Sequence, residues 1–136
     1  MEPKKTLKIH SMVIIAMLVL QYLLGIATNL FVKFPNSGTS SQFWEFTWSQ
    51  SVLACHIVLG ILLLVSSLVL LIRSIVYKNK QWIIISLTGC IAITIAGITG
   101  ALFIPSQKDL YSFIMSIAFI LALLTYFFGL YISKNN

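Results

Sequence analysis

Acidic side chains are almost missing from this chain. Three Asp and Glu residues stand among 136, and Lys and Arg add only nine. With 9% charged and 59% hydrophobic residues, the composition is far from that of a soluble domain, where roughly a quarter of residues are charged. Glu2, Glu45 and Asp109 all lie outside the apolar runs, so no carboxylate pair is set for acid–base work inside one. No HExxH, Ser-His-Asp set or glycine-rich phosphate loop occurs either, which sets aside a hydrolase or an ATP-driven pump acting alone. Cysteine is equally sparse. Cys55 and Cys90 sit singly in apolar runs without CxxC spacing or a histidine cluster, which argues against zinc or a dithiol pair and for small buried hydrophobes.

What the chain does have is four apolar runs, at about 11–32, 51–73, 82–104 and 110–133. Each is long enough, at about 1.5 Å per residue, to cross a hydrocarbon core of about 30 Å. The expectation is therefore an all-α fold: one integral membrane domain over 1–136, a four-transmembrane-helix bundle running up-down-up-down. The first run exceeds the roughly 7 to 15 residues of a signal-peptide core. Asn29-Leu-Phe-Val-Lys-Phe also has no small-residue cleavage pattern, so this run is expected to stay as a helix.

Lys4, Lys5, Lys8, Arg73, Lys78, Lys80 and Lys134 fall on one side of these spans, Lys33 and Lys108 on the other. That bias places both termini in the cytoplasm. The net charge of +6 is then read as topology and not as a nucleic-acid surface. The isoleucine, lysine and asparagine content points to a bacterial plasma membrane. The outer stretch 33–50 begins with flexible polar residues and ends in Phe43-Trp-Glu-Phe-Thr-Trp48. Trp44 and Trp48 suit headgroup anchoring or, alternatively, a lid over a pocket.

Two patterns concern packing. Gly25-Ile-Ala-Thr-Asn-Leu-Phe31 recurs as Gly97-Ile-Thr-Gly-Ala-Leu-Phe103, which would make the halves a parallel repeat of helix hairpins. In the third span Ala92, Ala96 and Gly100 are four apart, with Gly89 and Gly97 beside them. Such small residues let helices approach closely in lipid, within the bundle or across a homodimer seam.

Polar groups at membrane depth are few: Gln21, Asn29, His56, Ser112 and Ser116, with the thioether of Met115. His56 is the one ionisable side chain well inside a span, and such residues are functional-site candidates. His10, at the inner edge beside Lys8, reads as a surface residue. His56 and Met115 enter from the same side at similar depth, about 7 Å below the outer boundary for His56. Were their helices adjacent, imidazole and thioether would face each other, a ligand pair known for haem iron. A packed core would use the same two side chains without any cofactor. Gln21, Asn29, Ser112 and Ser116 would line the pocket or hydrogen-bond between helices.

The outer glycine of the first span, the polar and aromatic outer loop, and a histidine near the outer end of the second in Ala54-Cys-His-Ile-Val-Leu-Gly60 resemble one four-helix half of the haem A synthase family. Leu87-Thr-Gly-Cys-Ile-Ala-Ile-Thr94 in the third span is similar too. That resemblance implies a haem site near the outer face. The chain departs from the family in having Leu53 where it places a Glu, and no histidine in the fourth span. A bis-histidine haem would therefore require a second chain.

Three functions follow. The bundle binds haem b or a quinone through His56, with Met115, for electron transfer; or it is a non-catalytic accessory or assembly subunit of a larger membrane complex; or it is a component of a small transporter or channel. No broken-helix pair or charged ring favours the third.

Overall fold

A computed structural model describes residues 3–35 and 38–134. They form five helices, α1 (Pro3–Phe31), α2 (Ser40–Ser49), α3 (Ser51–Val76), α4 (Lys80–Ser106) and α5 (Asp109–Lys134). Among the described residues there is no strand. By length and composition α1, α3, α4 and α5 can each cross a membrane, with stretches of 28, 26, 27 and 25 residues and mean hydropathy between 2.1 and 2.8. The expected all-α bundle of four spans is what the chain forms.

Two boundaries differ from the sequence expectation. α1 begins at Pro3 and not near Ser11, because hydropathy marks where lipid begins and not where the helix does. Proline is tolerated in a first turn, and lysine and leucine are good helix formers. The outer stretch 33–50 is not all loop, since α2 occupies its second half. The cause is a capping box: Gln42 N donates to Thr39 Oγ1 at 3.4 Å, and Thr39 N donates to Gln42 Oε1 at 2.8 Å. Thr-Ser-Ser-Gln is the Ser/Thr-x-x-Glu/Gln signature of a helix start.

The four spans stand in a ring in the order α1, α3, α4, α5, so α1 faces α4 and α3 faces α5 across the diagonals. Each helix is antiparallel to both neighbours. Leu7, Ser11, Ile14, Leu18, Gln21 and Gly25 on α1, and Leu53, His56, Gly60, Leu63, Ser67, Leu70 and Ser74 on α3, are none of them exposed. Their alternate spacing of three and four is the 3.5-residue period that keeps one seam of an antiparallel bundle facing its partners.

The seam is no greasier than the outside. Leu20, Phe31, Ile72, Ile84, Leu124 and Phe128 are exposed, while Ser11, Ser67, Ser74 and Ser86 are fully buried. Lipid reverses the usual logic: an apolar side chain gains nothing by leaving it, so small residues that let backbones close in take the interior. Three of these serines donate to their own helix, Ser67 to Leu64 O at 2.8 Å, Ser74 to Leu70 O at 2.8 Å and Ser86 to Trp82 O at 2.6 Å. α4 and α5 meet most closely. A Cβ on Gly89 would lie 2.6 Å from Tyr126 Oη, and one on Gly129 would lie 2.8 Å from Ile85 Cγ2.

At the outer end α2 lies across α3 and α4, burying Phe43 and Thr47. Phe34 stacks edge-on against Phe103 at 5.7 Å and tilts against Phe46 at 5.9 Å. Gln107 Nε2 donates to Pro35 O at 2.9 Å, tying the strand of loop before α2 to the α4–α5 turn.

Candidate functional site

The polar centre of the outer half lies between α1 and α3. Gln21 and Gly25 are one turn apart on α1, as are His56 and Gly60 on α3. Because the helices are antiparallel, each polar side chain meets the other helix's glycine. His56 Cε1 is 3.4 Å from where a Cβ of Gly25 would stand, and Gln21 Nε2 is 3.2 Å from that of Gly60. Between the two notches the side chains join, with Gln21 Nε2 3.3 Å from His56 Nε2.

In this arrangement the amide donates to the ring nitrogen, so the imidazole carries its proton on Nδ1. His56 Nδ1, Gln21 Oε1 and, one turn further out, Thr28 Oγ1 are buried and have no hydrogen-bond partner. Turning the amide over exchanges the tautomer but still leaves one ring nitrogen and one amide atom unpaired. Each such group costs about 1–3 kcal/mol, so the clasp is a strained solution to packing as much as a bond.

The other expected site residues lie elsewhere. Met115, half-buried on α5, turns its Sδ to within 3.2 Å of the Cβ position of Gly100 on α4. His56 is directed to α1, and α3 and α5 are diagonal. The two side chains therefore do not converge. Asn29 is exposed in the last turns of α1, and Ser116 is exposed with its Oγ donating to Ser112 O at 2.9 Å; Ser112 is half-buried. Trp44 is half-buried and Trp48 exposed on α2, which packs on α3 and α4.

Of the small residues in α4, Ala92 is buried, Gly89 packs on Tyr126 and Gly100 on Met115. Ala96 is half-buried. Gly97 is exposed, with nothing within 4 Å of an added Cβ. This corrects the repeat, because Gly25 faces the seam and Gly97 does not. The position in the second hairpin that corresponds to Gly25 is Gly100, three residues on, where Met115 takes the place of His56.

Two further readings need correction. His10 is not a plain surface residue: it is half-buried, its Nε2 lies 3.0 Å from Ser66 Oγ, and its Nδ1 is buried without a partner. With α1 starting at Pro3, His10 is two turns inside a helix and faces α3. Cys90 is buried as expected, but Cys55 is exposed, next to His56 on the lipid side of α3.

A haem does not fit these residues within one chain. The His56 Nε2 is engaged by Gln21, the ring covers Gly25, and the thioether of Met115 is turned to another interface. Among the described residues no three His, Cys, Asp or Glu side chains are grouped as metal ligands. A shallow apolar depression on α5, lined by Leu124, Thr125, Phe127, Phe128 and Tyr131, is on a different face from His56. Compared with protein-family models, with curated proteins and with solved structures, the chain has no match.

Sequence reasoning missed Gly60, Thr28 and Ser66. The signal was present: Gln21 with Gly25 and His56 with Gly60 form the same i, i+4 pair of a polar side chain and a glycine, one on each of two adjacent spans.

Proposed function

We propose that the protein is a non-catalytic subunit of a larger membrane assembly, docking through the outer-half face of α4. The observation that carries this reading is the Gln21–His56 clasp, which turns the ionisable group of the outer half inward and uses it to join α1 to α3. The surface agrees with it. Gly97 and Ala101, four apart and both exposed on α4, leave a strip where another helix backbone can approach closely. They replace Ala96 and Gly100 as the docking residues, because Gly100 is already occupied by Met115.

The test is Gly97→Leu together with Ala101→Leu, examined by native gel migration of membranes solubilised in mild detergent. A Cβ on Gly97 meets nothing within 4 Å and Ala101 is exposed, and circular dichroism checks that the double variant folds. Loss of a high-mass species with unchanged helicity supports the reading, and unchanged migration removes it. Electron transfer through haem b would need ligands from a second chain. An oxidised and a dithionite-reduced visible spectrum of the purified protein tests that alternative, and the docking reading expects no Soret band.

A further inference from the structure

The end of the bundle where α1 starts collects basic side chains that have no counterion among the described residues. α1 has 29 residues, a length of about 43 Å against a core of about 30 Å. Its first turns therefore stand at headgroup level. Lys4 and Lys5 are exposed there and Lys8 is half-buried. Arg73 is exposed in the last turns of α3, and Lys78 and Lys80 are exposed on the turn into α4, where Lys78 takes a left-handed conformation with φ 51°. Arg73 and Lys8 bracket the end of the α1–α3 seam.

Among the described residues none of these six has an anionic partner. Glu45 and Asp109 are at the opposite end of the bundle, and Glu2 lies outside the described residues. Six cations at headgroup level on one bundle end have in the sequence a single acidic side chain at that end, Glu2, and so call for anions from outside. A nucleic acid or an acidic protein would have to reach cations that are set partly into the headgroup layer, whereas a lipid phosphate is already there.

We propose that this end is a docking surface for anionic phospholipid headgroups, bound by Lys4, Lys5, Lys8, Arg73, Lys78 and Lys80. Each cation near such a surface contributes roughly a fivefold preference. The preference is weakened by salt over a Debye length of about 10 Å at 0.1 M. The proposal is independent of which partner docks on α4.

The experiment is native mass spectrometry of the whole chain in a neutral detergent, titrated with phosphatidylglycerol or with phosphatidylcholine of the same acyl chains. Phosphatidylglycerol is expected to bind at least tenfold more tightly. Replacing Lys4, Lys5, Lys8 and Arg73 together by Gln should lower its affinity at least 25-fold. The Lys33→Gln, Lys108→Gln pair at the other end should change it less than twofold. Circular dichroism checks folding. Should the fourfold variant not fold, Lys78→Gln with Lys80→Gln, on the turn outside the seam, gives the same reading with an expected loss of about 25-fold. Equal affinity for the two lipids overturns the proposal, as does an equal loss per charge from the Lys33 and Lys108 pair. Displacement of the lipid by millimolar inorganic phosphate also overturns it, since the site would then be one for free phosphate.

Discussion

Replacing the clasp by two apolar side chains should leave the bundle at least as stable as it is now. In the native chain the Gln21–His56 pair makes one interhelical bond and leaves Gln21 Oε1 and His56 Nδ1 buried and unpaired. Gln21→Met removes the amide but strands both ring nitrogens, and His56→Leu strands both amide atoms. Each single variant therefore keeps two unpaired atoms and loses the bond. The expected cost is about 0.6–1.5 kcal/mol, the range for interhelical bonds in lipid and for hydrogen bonds generally. The double variant has no unpaired atom left at the clasp, and at about 1–3 kcal/mol for each group relieved it should recover the loss and exceed the native stability by about 1 kcal/mol or more. The coupling is the readout of a double-mutant cycle, measured by reversible denaturation in mixed micelles or by steric trapping. A double variant less stable than both singles would refute the reasoning. It would mean that Oε1 and Nδ1 are engaged in the membrane, by water, a ligand or another chain, and that His56 serves more than packing.

Other consequences are as direct. Gly89→Ala should cost about 1–3 kcal/mol, the usual penalty of overpacking, because its methyl group meets the Tyr126 ring; Gly97→Ala, with open space around it, should be neutral or stabilising by about 0.4–1 kcal/mol. Equal thermal shifts for the two would show that the α4–α5 contact is wrong. Thr39→Ala removes the acceptor of the α2 capping box and should cost about 1 kcal/mol, seen as faster hydrogen exchange in 40–49 with the spans unaffected. Ser66→Ala removes the His10 partner and should destabilise by about 0.6 kcal/mol; His10→Leu in that background should restore the loss.

The four spans were legible because lipid imposes a length and a composition, and both can be read in a window of sequence. α2 was signalled in Thr39-Ser-Ser-Gln42, a local hydrogen-bonding pattern that does not depend on tertiary contacts, whereas the sequence expectation for 33–50 is a loop. The partner of each span was harder. Depth can be counted from the end of a helix, which is how Met115 and His56 came to be paired. Azimuth depends on which helices adjoin, and the ring order makes α3 and α5 diagonal. Hydropathy gave no help with the seam either. Leu20 faces lipid and Leu18 the core, and only the alternation of three and four residues across Ser11, Gln21 and Gly25 distinguishes them. Gly97 and Gly100 differ in the same way, three residues apart but on different faces.

The two hairpins solve the same close approach by different means, and this predicts where the bundle yields first. α4 and α5 are joined through Gly89, Gly100 and Gly129, whose notches hold Tyr126, Met115 and the Ile85–Trp82 pair, contacts in which the Tyr126 hydroxyl is the one buried atom left without a hydrogen-bond partner among the described residues. α1 and α3 are joined through Gly25 and Gly60, whose notches hold His56 and Gln21, with Nδ1, Oε1 and the Thr28 hydroxyl unpaired beside them. Water reaching the second interface satisfies those three atoms and lowers the free energy of its open state, while water reaching the first satisfies the Tyr126 hydroxyl alone. Local opening should therefore begin on the α1–α3 seam, and at this end of it, where three atoms are unpaired against two, His10 Nδ1 and Ser11 Oγ, at the other. Hydrogen exchange followed by mass spectrometry in mild detergent should find residues 21–29 exchanging at least tenfold faster than residues 96–104 at the corresponding end of α4, and the Gln21→Met, His56→Leu double variant should close most of that gap. Equal protection of the two segments in the native chain would show that the unpaired atoms do not govern opening.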